Sequence, residues 1–222
     1  MKELISIWKP ENITSYDVIR KIKHFDSSLK IGHCGTLDPF ASGILLVCIG
    51  SNTKNISEYM KLKKTYEATI RLNIETDTLD YTGKIIKIKS NPIKFNKNDI
   101  KKSILKLTGN EILQVPPFFS AKKFHGLKMY EFARKDIFIR RKPSVVSIDS
   151  IKLLEFSKDQ IKIKVKCGKG VYIRSIARDL AYRLDTFGHL TELIRTDIGQ
   201  YNFSNSCNIE DLKNVCAWIV WF

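Results

Sequence analysis

One carboxylate in the sequence lies within an unusual concentration of loop-forming residues. The segment Gly32–Gly43 reads GHCGTLDPFASG, with three glycines and one proline around Asp38. Pro39 disfavours a helical backbone at Asp38, and the glycines allow a ligand to approach the chain closely. A carboxylate held in such a loop can act as a nucleophile or as a proton acceptor. The alternative interpretation is an Asp-Pro turn that carries no chemistry.

A candidate cation follows a second glycine-containing turn. Gly168-Lys169-Gly170 is followed by Val171-Tyr172-Ile173, and this order predicts that Arg174 lies where a strand ends and a helix begins. A guanidinium group near a carboxylate keeps that carboxylate ionised. A solvated arginine on the surface is the alternative for this residue.

Three helices and several strands are predicted around these residues. Thr14 and Asp17 are spaced as a capping box, which predicts a helix over about 15–25, and a further helix is predicted from about Asn96. Strands are predicted at Ile44–Ile49, Tyr66–Leu72, Ile85–Ile88 and Ile161–Lys166, the last with a lysine face. After Arg174, a helix is predicted with Ile176, Ala177, Leu180 and Leu184 facing inward. Because strands and helices mix without regular βαβ spacing, the pattern favours an α+β fold.

The charge of the chain predicts a polyanionic partner. The 222 residues include 38 Lys and Arg against 23 Asp and Glu, which gives a net charge of +15. Lysine and arginine bind phosphates and release their counterions, so nucleic acid is the favoured partner. With 43% hydrophobic residues the chain has enough apolar residues for an ordinary globular core, which argues against disorder.

The cysteines and the apolar stretches predict a cytoplasmic protein. Five cysteines form no CxxC pair and no zinc-like spacing, which is typical of reduced thiols. The first ten residues lack the apolar run of a signal peptide. The longest apolar stretch, residues 215–222, is far shorter than the ~20 residues that a membrane span requires.

Six ordered blocks of the chain resemble the tRNA pseudouridine synthase B family. They are residues 9–15 (KPENITS), 32–43 (GHCGTLDPFASG), 64–66 with 76–83 (KTY and TDTLDYTG), 114–123 with 130–134 (QVPPFFSAKK and YEFAR), 167–174 with Asp179, and 193–199 (LIRTDIG). The resemblance implies a pseudouridine synthase fold, with a central, mixed but mostly antiparallel sheet flanked by helices. It also implies isomerisation of the T-loop uridine of tRNA to pseudouridine, without cofactor or metal, by a monomer.

The resemblance assigns a role to each candidate active-site residue. Asp38 corresponds to the catalytic aspartate, and both attack on C1′ and abstraction of a sugar proton remain open for it. Arg174 is expected to pair with Asp38, and Tyr66 to offer an aromatic face to a flipped base. Tyr172 is expected to support the pocket from the same strand face as Arg174, and Leu193 to line the uracil site.

The remaining expectations concern RNA contacts and domain organisation. RNA contacts are expected at His33, Lys9, Lys122, Lys123, Arg134, Arg140 and Arg141. The last five belong to a basic insertion at about 115–143, expected to be mobile without RNA and ordered with it. The 222 residues are expected to form one catalytic domain without the family's C-terminal RNA-binding PUA domain. Asn12 and Asn73 replace glycines of the family pattern, and asparagine tolerates positive φ.

Two other functions remain open at this point. An RNA chaperone would refold the tRNA elbow without chemistry. A guide-dependent synthase would share the catalytic loop but would need partner proteins and a guide RNA.

Overall fold

The computed structural model describes residues 4–91, 94–120, 122–124, 126–135, 137 and 139–212. The helices, in chain order, are α1 (Ser15–Lys23), α2 (Ile56–Tyr59), α3 (Lys97–Leu105), α4 (Met129–Ala133) and α5 (Ile173–Arg183). The strands are β1 (Leu4–Lys9), β2 (Ile31–His33), β3 (Ser42–Ile49), β4 (Lys64–Leu72), β5 (Ile74–Thr76), β6 (Ile85–Ile88), β7 (Gly109–Gln114), β8 (Lys123–Phe124), β9 (Leu127–Lys128), β10 (Ser144–Phe156), β11 (Gln160–Cys167), β12 (Gly188–Ile198) and β13 (Cys207–Asn208).

The chain forms two compact units. The first contains the described residues up to Glu67 and from Glu192 onward, and the second contains Ala68–Thr191. In the first unit the strand order is β13-β1-β3-β12-β4, with β2 also paired to β3. β1 and β2 are antiparallel to β3, whereas β12 is parallel to β3 and β13 is parallel to β1.

Strand β3 is buried on both faces in the first unit. Leu45, Val47 and Ile49 pack with Val18, Ile19 and Ile22 of α1 in one cluster. Ile44, Leu46 and Cys48 alternate with them and pack on the opposite face with Cys34 and Ile198. This burial explains the continuous apolar sequence of β3, because a strand covered on both sides needs no polar face.

In the second unit β10 is antiparallel to both β11 and β7. The strand order of this unit is β12-β4-β11-β10-β7, and two short hairpins pair β5 with β6 and β8 with β9. In β11 the buried Ile161, Ile163 and Val165 alternate with more exposed lysines, as predicted. Helix α3 packs against β10 and α5.

The structure confirms the predicted α+β class and most predicted elements. α1 begins with the complete Thr14–Asp17 capping box, and α3 begins after Asn96, which caps it. The predicted strands are observed at β3, β4, β6 and β11. The apolar stretch at residues 215–222 lies outside the described residues.

The prediction for Tyr172 and Arg174 was wrong in one respect. β11 already ends at Cys167, and Gly170 has a φ of 81°, which turns the chain before Tyr172. Tyr172 is the N-cap residue of α5, and Arg174 is the second residue of that helix. The two residues therefore do not share a strand face.

Candidate active site

The loop that carries Asp38 is fixed on one side by a serine and a buried arginine. Ser15, at the start of α1, accepts a hydrogen bond from Leu37 N (2.9 Å) and donates one to Leu37 O (3.2 Å). Arg195 of β12 is 1% exposed and donates to the carbonyl oxygens of Ile44 (2.7 Å), Thr36 (3.3 Å) and Gly35 (3.3 Å). The bonds to Gly35, Thr36 and Leu37 hold the backbone on the N-terminal side of Asp38, which is itself half-buried.

Lys9 fixes the other side of the same loop. Its side chain is fully buried, and its ammonium group donates to the carbonyl oxygens of Pro10 (2.7 Å), Ile13 (2.8 Å) and Pro39 (3.3 Å). Asn12 N donates to the same Pro39 oxygen at 2.8 Å. The expected role of Lys9 as an RNA contact is therefore wrong for this structure, because the ammonium group is enclosed and bound to the chain.

Burial also changes the protonation of Lys9. Desolvation and the nearby positive charge of Arg195 lower the pKa of Lys9 to about 8, although the Asp38 carboxylate opposes this shift. Lys9 is thus charged at neutral pH but titrates well below the ordinary range of a lysine.

The other candidate residues of the first unit lie on strands next to this loop. His33 is the last residue of β2, directly before the loop, and pairs with Val47 of β3. Tyr66 on β4 is 8% exposed, and Leu193 on β12 is 3% exposed. Leu193 lies two residues before Arg195 on the same strand.

Arg174 is held firmly in the second unit. It is 5% exposed, and its guanidinium group donates to Thr78 O (2.8 Å) and Phe119 O (2.9 Å). Its Nη1 lies 3.6 Å from Oδ2 of the buried Asp80. Asp80 accepts further bonds from the Thr78 hydroxyl (2.9 Å) and from Thr82 N (3.0 Å), so this carboxylate is fixed in place.

The turn that presents Thr78 and Asp80 to Arg174 contains an unusual backbone conformation. The buried Leu79, between these two residues, has a φ of 64°. A left-handed backbone costs roughly 1–2 kcal/mol for a residue other than glycine. Hydrogen bonds from Leu79 N to Thr76 O (3.2 Å) and from Leu190 N to Leu79 O (3.0 Å) hold it there. Strain that a structure maintains in this way is typical of functional sites.

The N-terminus of α5 also fixes the segment after β7. The Gln114 side-chain amide accepts from Tyr172 N (2.9 Å) and donates to Tyr172 O (3.1 Å). The Ser175 hydroxyl donates to Val115 O at 2.8 Å. These contacts position the chain that leads to Phe119, whose carbonyl oxygen binds Arg174.

The basic segment, residues 122–142, contains a short hairpin and helix α4. Some of its basic side chains bind other groups of the chain, and others are exposed. Lys122 Nζ donates to the Ser144 hydroxyl (2.5 Å) and Arg141 donates to Pro116 O (3.2 Å). Arg134 is exposed and lies over the Tyr130 ring at 5.2 Å, and Arg140 is exposed. The side chain of Lys123 lies outside the described part of the structure.

The comparison with known families identifies the chain. A sequence model of the TruB family pseudouridylate synthase (N terminal domain) matches residues 20–173. The chain belongs to this family. The TruB match includes the Asp38 loop, Tyr66 and Tyr172, and it ends one residue before Arg174.

Curated TruB-family relatives match almost the whole chain. The tRNA pseudouridine synthase B of Clostridium acetobutylicum is 41% identical over 213 residues, which cover 96% of this chain and 73% of that protein. The protein of the same name from Fusobacterium nucleatum is 44% identical, covering 91% of this chain and 69% of its own length. The protein of the same name from Ureaplasma urealyticum is 42% identical, and the match covers 95% of this chain and 92% of that protein.

Solved structures confirm the pseudouridine synthase fold. A chain of a Cbf5-Nop10-Gar1 complex superimposes with a TM-score of 0.73 at 24% identity over 98% of this chain. A chain of an H/ACA RNP bound to a substrate RNA superimposes with a TM-score of 0.70, at 22% sequence identity over 97% of this chain. The present chain spans about half of those two chains, 55% and 54%.

The structure adds residues that the sequence patterns did not indicate. Arg195 and Ser15 hold the Asp38 loop, and Asp80 and Gln114 fix Arg174 and Tyr172. All four residues lie inside the blocks that resemble the family, so their place in a motif was visible while their contacts were not. Among the residues that the structure describes, no group of three or more His, Cys, Asp or Glu side chains is arranged to hold a metal ion. No helix in the same residues is long and apolar enough to cross a membrane.

Proposed function

We propose that the protein converts the T-loop uridine of tRNA into pseudouridine. The observation that carries this proposal is the Asp38 loop, in which a family-specific sequence coincides with a backbone clamped by Lys9, Ser15 and Arg195. Support for tRNA as the substrate comes from relatives named tRNA pseudouridine synthase B, at about 40% identity over most of the chain.

Asp38 is the residue to which we assign the chemistry. In the reaction the C1′–N1 bond breaks, a C1′–C5 bond forms, the proton on C5 is lost and N1 gains a proton, with no net redox change. A fixed carboxylate can assist departure of the base by attacking C1′ or by accepting a sugar proton. A clamped loop suits either role, because a preformed geometry avoids reorganisation during the reaction.

The target uridine lies within a folded loop, so we propose that the enzyme binds it in a flipped state. Flipped bases are received by stacking and by hydrogen bonds to their edges. Tyr66 and Leu193 are the side chains that we assign to contacts with the base. We assign Arg174 to pairing with Asp38 and His33 to contact with the RNA, and these roles follow from their motifs.

The basic segment is the proposed grip on the RNA. Arg134 and Arg140 are exposed cations that suit phosphate contacts, while Arg141 and Lys122 already bind groups of the chain itself. We propose the cytoplasm as the compartment, because five scattered cysteines suit a reducing environment. We propose a monomer as the acting form, as the family resemblance implies.

The test is mapping of pseudouridine in a T-arm minihelix after incubation with the purified chain. The wild-type chain should form product without partner proteins or guide RNA. Asp38→Asn should retain RNA binding and lose activity by at least about 100-fold, the lower range for a positioned acid–base group.

Asp26→Asn is the matched control, since Asp26 is a loop aspartate that binds only Ser28 among the described contacts. It should leave product formation unchanged. Full activity of Asp38→Asn would refute the assigned role, and a requirement for guide RNA would favour the guide-dependent class. If Asp38→Asn still accelerates tRNA folding, the protein is also an RNA chaperone.

A further inference from the structure

A basic cavity of about 430 Å³ lies in the second unit, between α3 and the end of α5. Lys102 and Lys106 line it from one face of α3, and Lys94 and Phe95 line it from the chain before that helix. Arg183, the last residue of α5, completes the basic lining. Arg174, the second residue of the same helix, lies nine residues earlier, about 14 Å along the axis at 1.5 Å per residue. The cavity is therefore separate from Arg174.

The positive charges of this cavity are only partly compensated: Asp179, four residues before Arg183 on α5, interacts electrostatically with it, whereas Lys94, Lys102 and Lys106 form no ion pair with the described residues. Asp99 is its only acidic lining residue, and its Oδ2 accepts the backbone N–H of Asn96 at 2.9 Å in the α3 capping box. Within the described ranges, no carboxylate oxygen lies within 4 Å of the charged nitrogens of the four cations. Four positive charges thus surround one negative charge that already has a partner.

A second cavity of similar volume shows the opposite arrangement. It is also about 430 Å³ and is lined by Lys87, Lys89 and Asp185 together with Tyr182 and Phe187. Here each lysine has an anion: Lys87 binds the buried Glu75 at 2.8 Å, and Lys89 lies 3.6 Å from Asp185. The cavity between α3 and α5 is therefore distinguished by lysines that form no ion pair with the described residues, and not by the presence of lysines alone.

We propose that the cavity between α3 and α5 binds a phosphate group. Lysine and arginine donors around a small cavity match the several acceptor oxygens of a phosphate, and charge-assisted bonds of this kind are strong. Phe95 adds an aromatic face, against which a base next to the phosphate can stack. The phosphate belongs either to the RNA backbone or to a free phosphate compound such as a nucleotide, and the two sources share this recognition chemistry.

Two double variants of α3 test the proposal. Lys102→Gln with Lys106→Gln removes two charges from the cavity. The control, Lys97→Gln with Lys101→Gln, removes two charges at the same spacing from the same helix; all four lysines are exposed, but Lys97 and Lys101 do not line the cavity. The single variant Arg183→Gln reaches the cavity from α5 and leaves α3 unaltered.

The first arm titrates inorganic pyrophosphate into the full chain and follows the backbone amide signals by NMR. Saturable shifts are expected around residues 94–106 and 183–184 in the wild type and in the control with Lys97→Gln and Lys101→Gln. Affinity should fall at least about tenfold in the cavity variant, because each charge-assisted bond contributes more than a neutral one. Arg183→Gln should weaken binding in the same direction.

The second arm measures tRNA affinity against salt concentration and rests on the proposed function. If the RNA backbone is the ligand, the slope of log K against log salt should decrease by about 1 per lost phosphate contact in the cavity variant, beyond the change in its control. An effect in the pyrophosphate arm alone identifies a free phosphate compound. Equal behaviour of the two double variants in both arms would overturn the proposal. Failure of the wild type to form pseudouridine would refute the proposed function, but the pyrophosphate arm would remain readable.

Discussion

Two buried cations determine the shape of the Asp38 loop. Lys9 and Arg195 each donate to three backbone carbonyl oxygens, and their acceptors lie on both sides of Asp38. Buried charges are costly unless they are fully hydrogen-bonded. Carbonyl oxygens of the loop and of neighbouring segments meet this requirement together, so the cations and the loop stabilise each other, and removal of either cation should loosen the position of Asp38.

The titration of Lys9 predicts a dependence of stability on pH. Its pKa is about 8 in the folded chain against the ordinary 10.5, so the unfolded chain binds more protons between these two values. The free energy of unfolding should therefore rise with pH across this window, by at most ~1.4 kcal/mol per pH unit. Urea unfolding of the wild type and of Lys9→Met, from pH 7 to pH 10, measures this contribution, which the variant should lack.

Lys21→Met is the control for this experiment, because Lys21 is an exposed lysine of α1. It should keep the pH dependence of the wild type. Identical pH profiles for all three proteins would contradict the assignment.

At the residue scale, the sequence predicted backbone conformation better than it predicted which side chains form hydrogen bonds with each other or with the backbone. Asn12 and Asn73 replace glycines of the family pattern, and both have positive φ, 65° and 70°, as their residue type predicted. Backbone preference is local, so one residue indicates it. The contacts of Arg195 with Gly35 and Thr36 join positions about 160 residues apart, and no spacing rule predicts such a pair.

At the element scale, the close approach of β3 and β12 depends on Gly43. The two strands pair in parallel, with Arg195 opposite Gly43. Gly43 has a φ of 119°, and a Cβ atom there would overlap the backbone of Arg195. This approach brings the Arg195 side chain to the start of the Asp38 loop. The absence of a side chain at Gly43 therefore allows Arg195 to hold that loop.

Gly43→Ala should therefore destabilise the protein more than an alanine at a glycine with free space. Gly50 is the matched position, because its φ is also positive (61°) but a Cβ atom there would have no neighbour within 4 Å among the described residues. Gly50→Ala should cost about 1 kcal/mol for the left-handed backbone, and Gly43→Ala a further ~2 kcal/mol or more for the overlap. Chemical denaturation with unchanged m-values measures both losses, and equal losses would show that the overlap is relieved cheaply.

Most elements found from sequence are long enough for a period to show. α1, α3, α5, β3, β4 and β11 extend over six residues or more, and their apolar patterns identified them, whereas β6 was identified although it has only four residues. The β8–β9 hairpin has two residues per strand, too few to show alternation. The extended backbone at Tyr172 resembled a strand in sequence, but the Gln114 side chain and the start of α5 determine its conformation.

At the scale of the whole molecule, the basic residues behind the net charge of +15 differ in whether they bind the chain, pair with a carboxylate or remain exposed. Lys9 and Arg195 are buried and bind backbone carbonyl oxygens of the chain, and Lys87 forms an ion pair with Glu75. Arg134 and Arg140 are exposed in the basic segment, and the three lysines of the cavity between α3 and α5 form no ion pair with the described residues. RNA binding should therefore depend on the accessible basic residues and not on the buried Lys9 and Arg195, since only accessible cations release counterions.

Hydrogen exchange at two salt concentrations tests this for the basic segment. Backbone amides of residues 122–142 should gain protection when a T-arm minihelix binds at low salt, because phosphate contacts order a loop that otherwise opens easily. The gain should largely disappear between about 50 mM and 200 mM salt, the range in which several phosphate contacts lose most of their affinity. The β10–β11 hairpin, residues 144–167, is the internal control, because its strand ladder should be protected with or without RNA. Protection of 122–142 that is the same with and without RNA would exclude this segment as the grip and would shift the RNA contact to other basic surfaces.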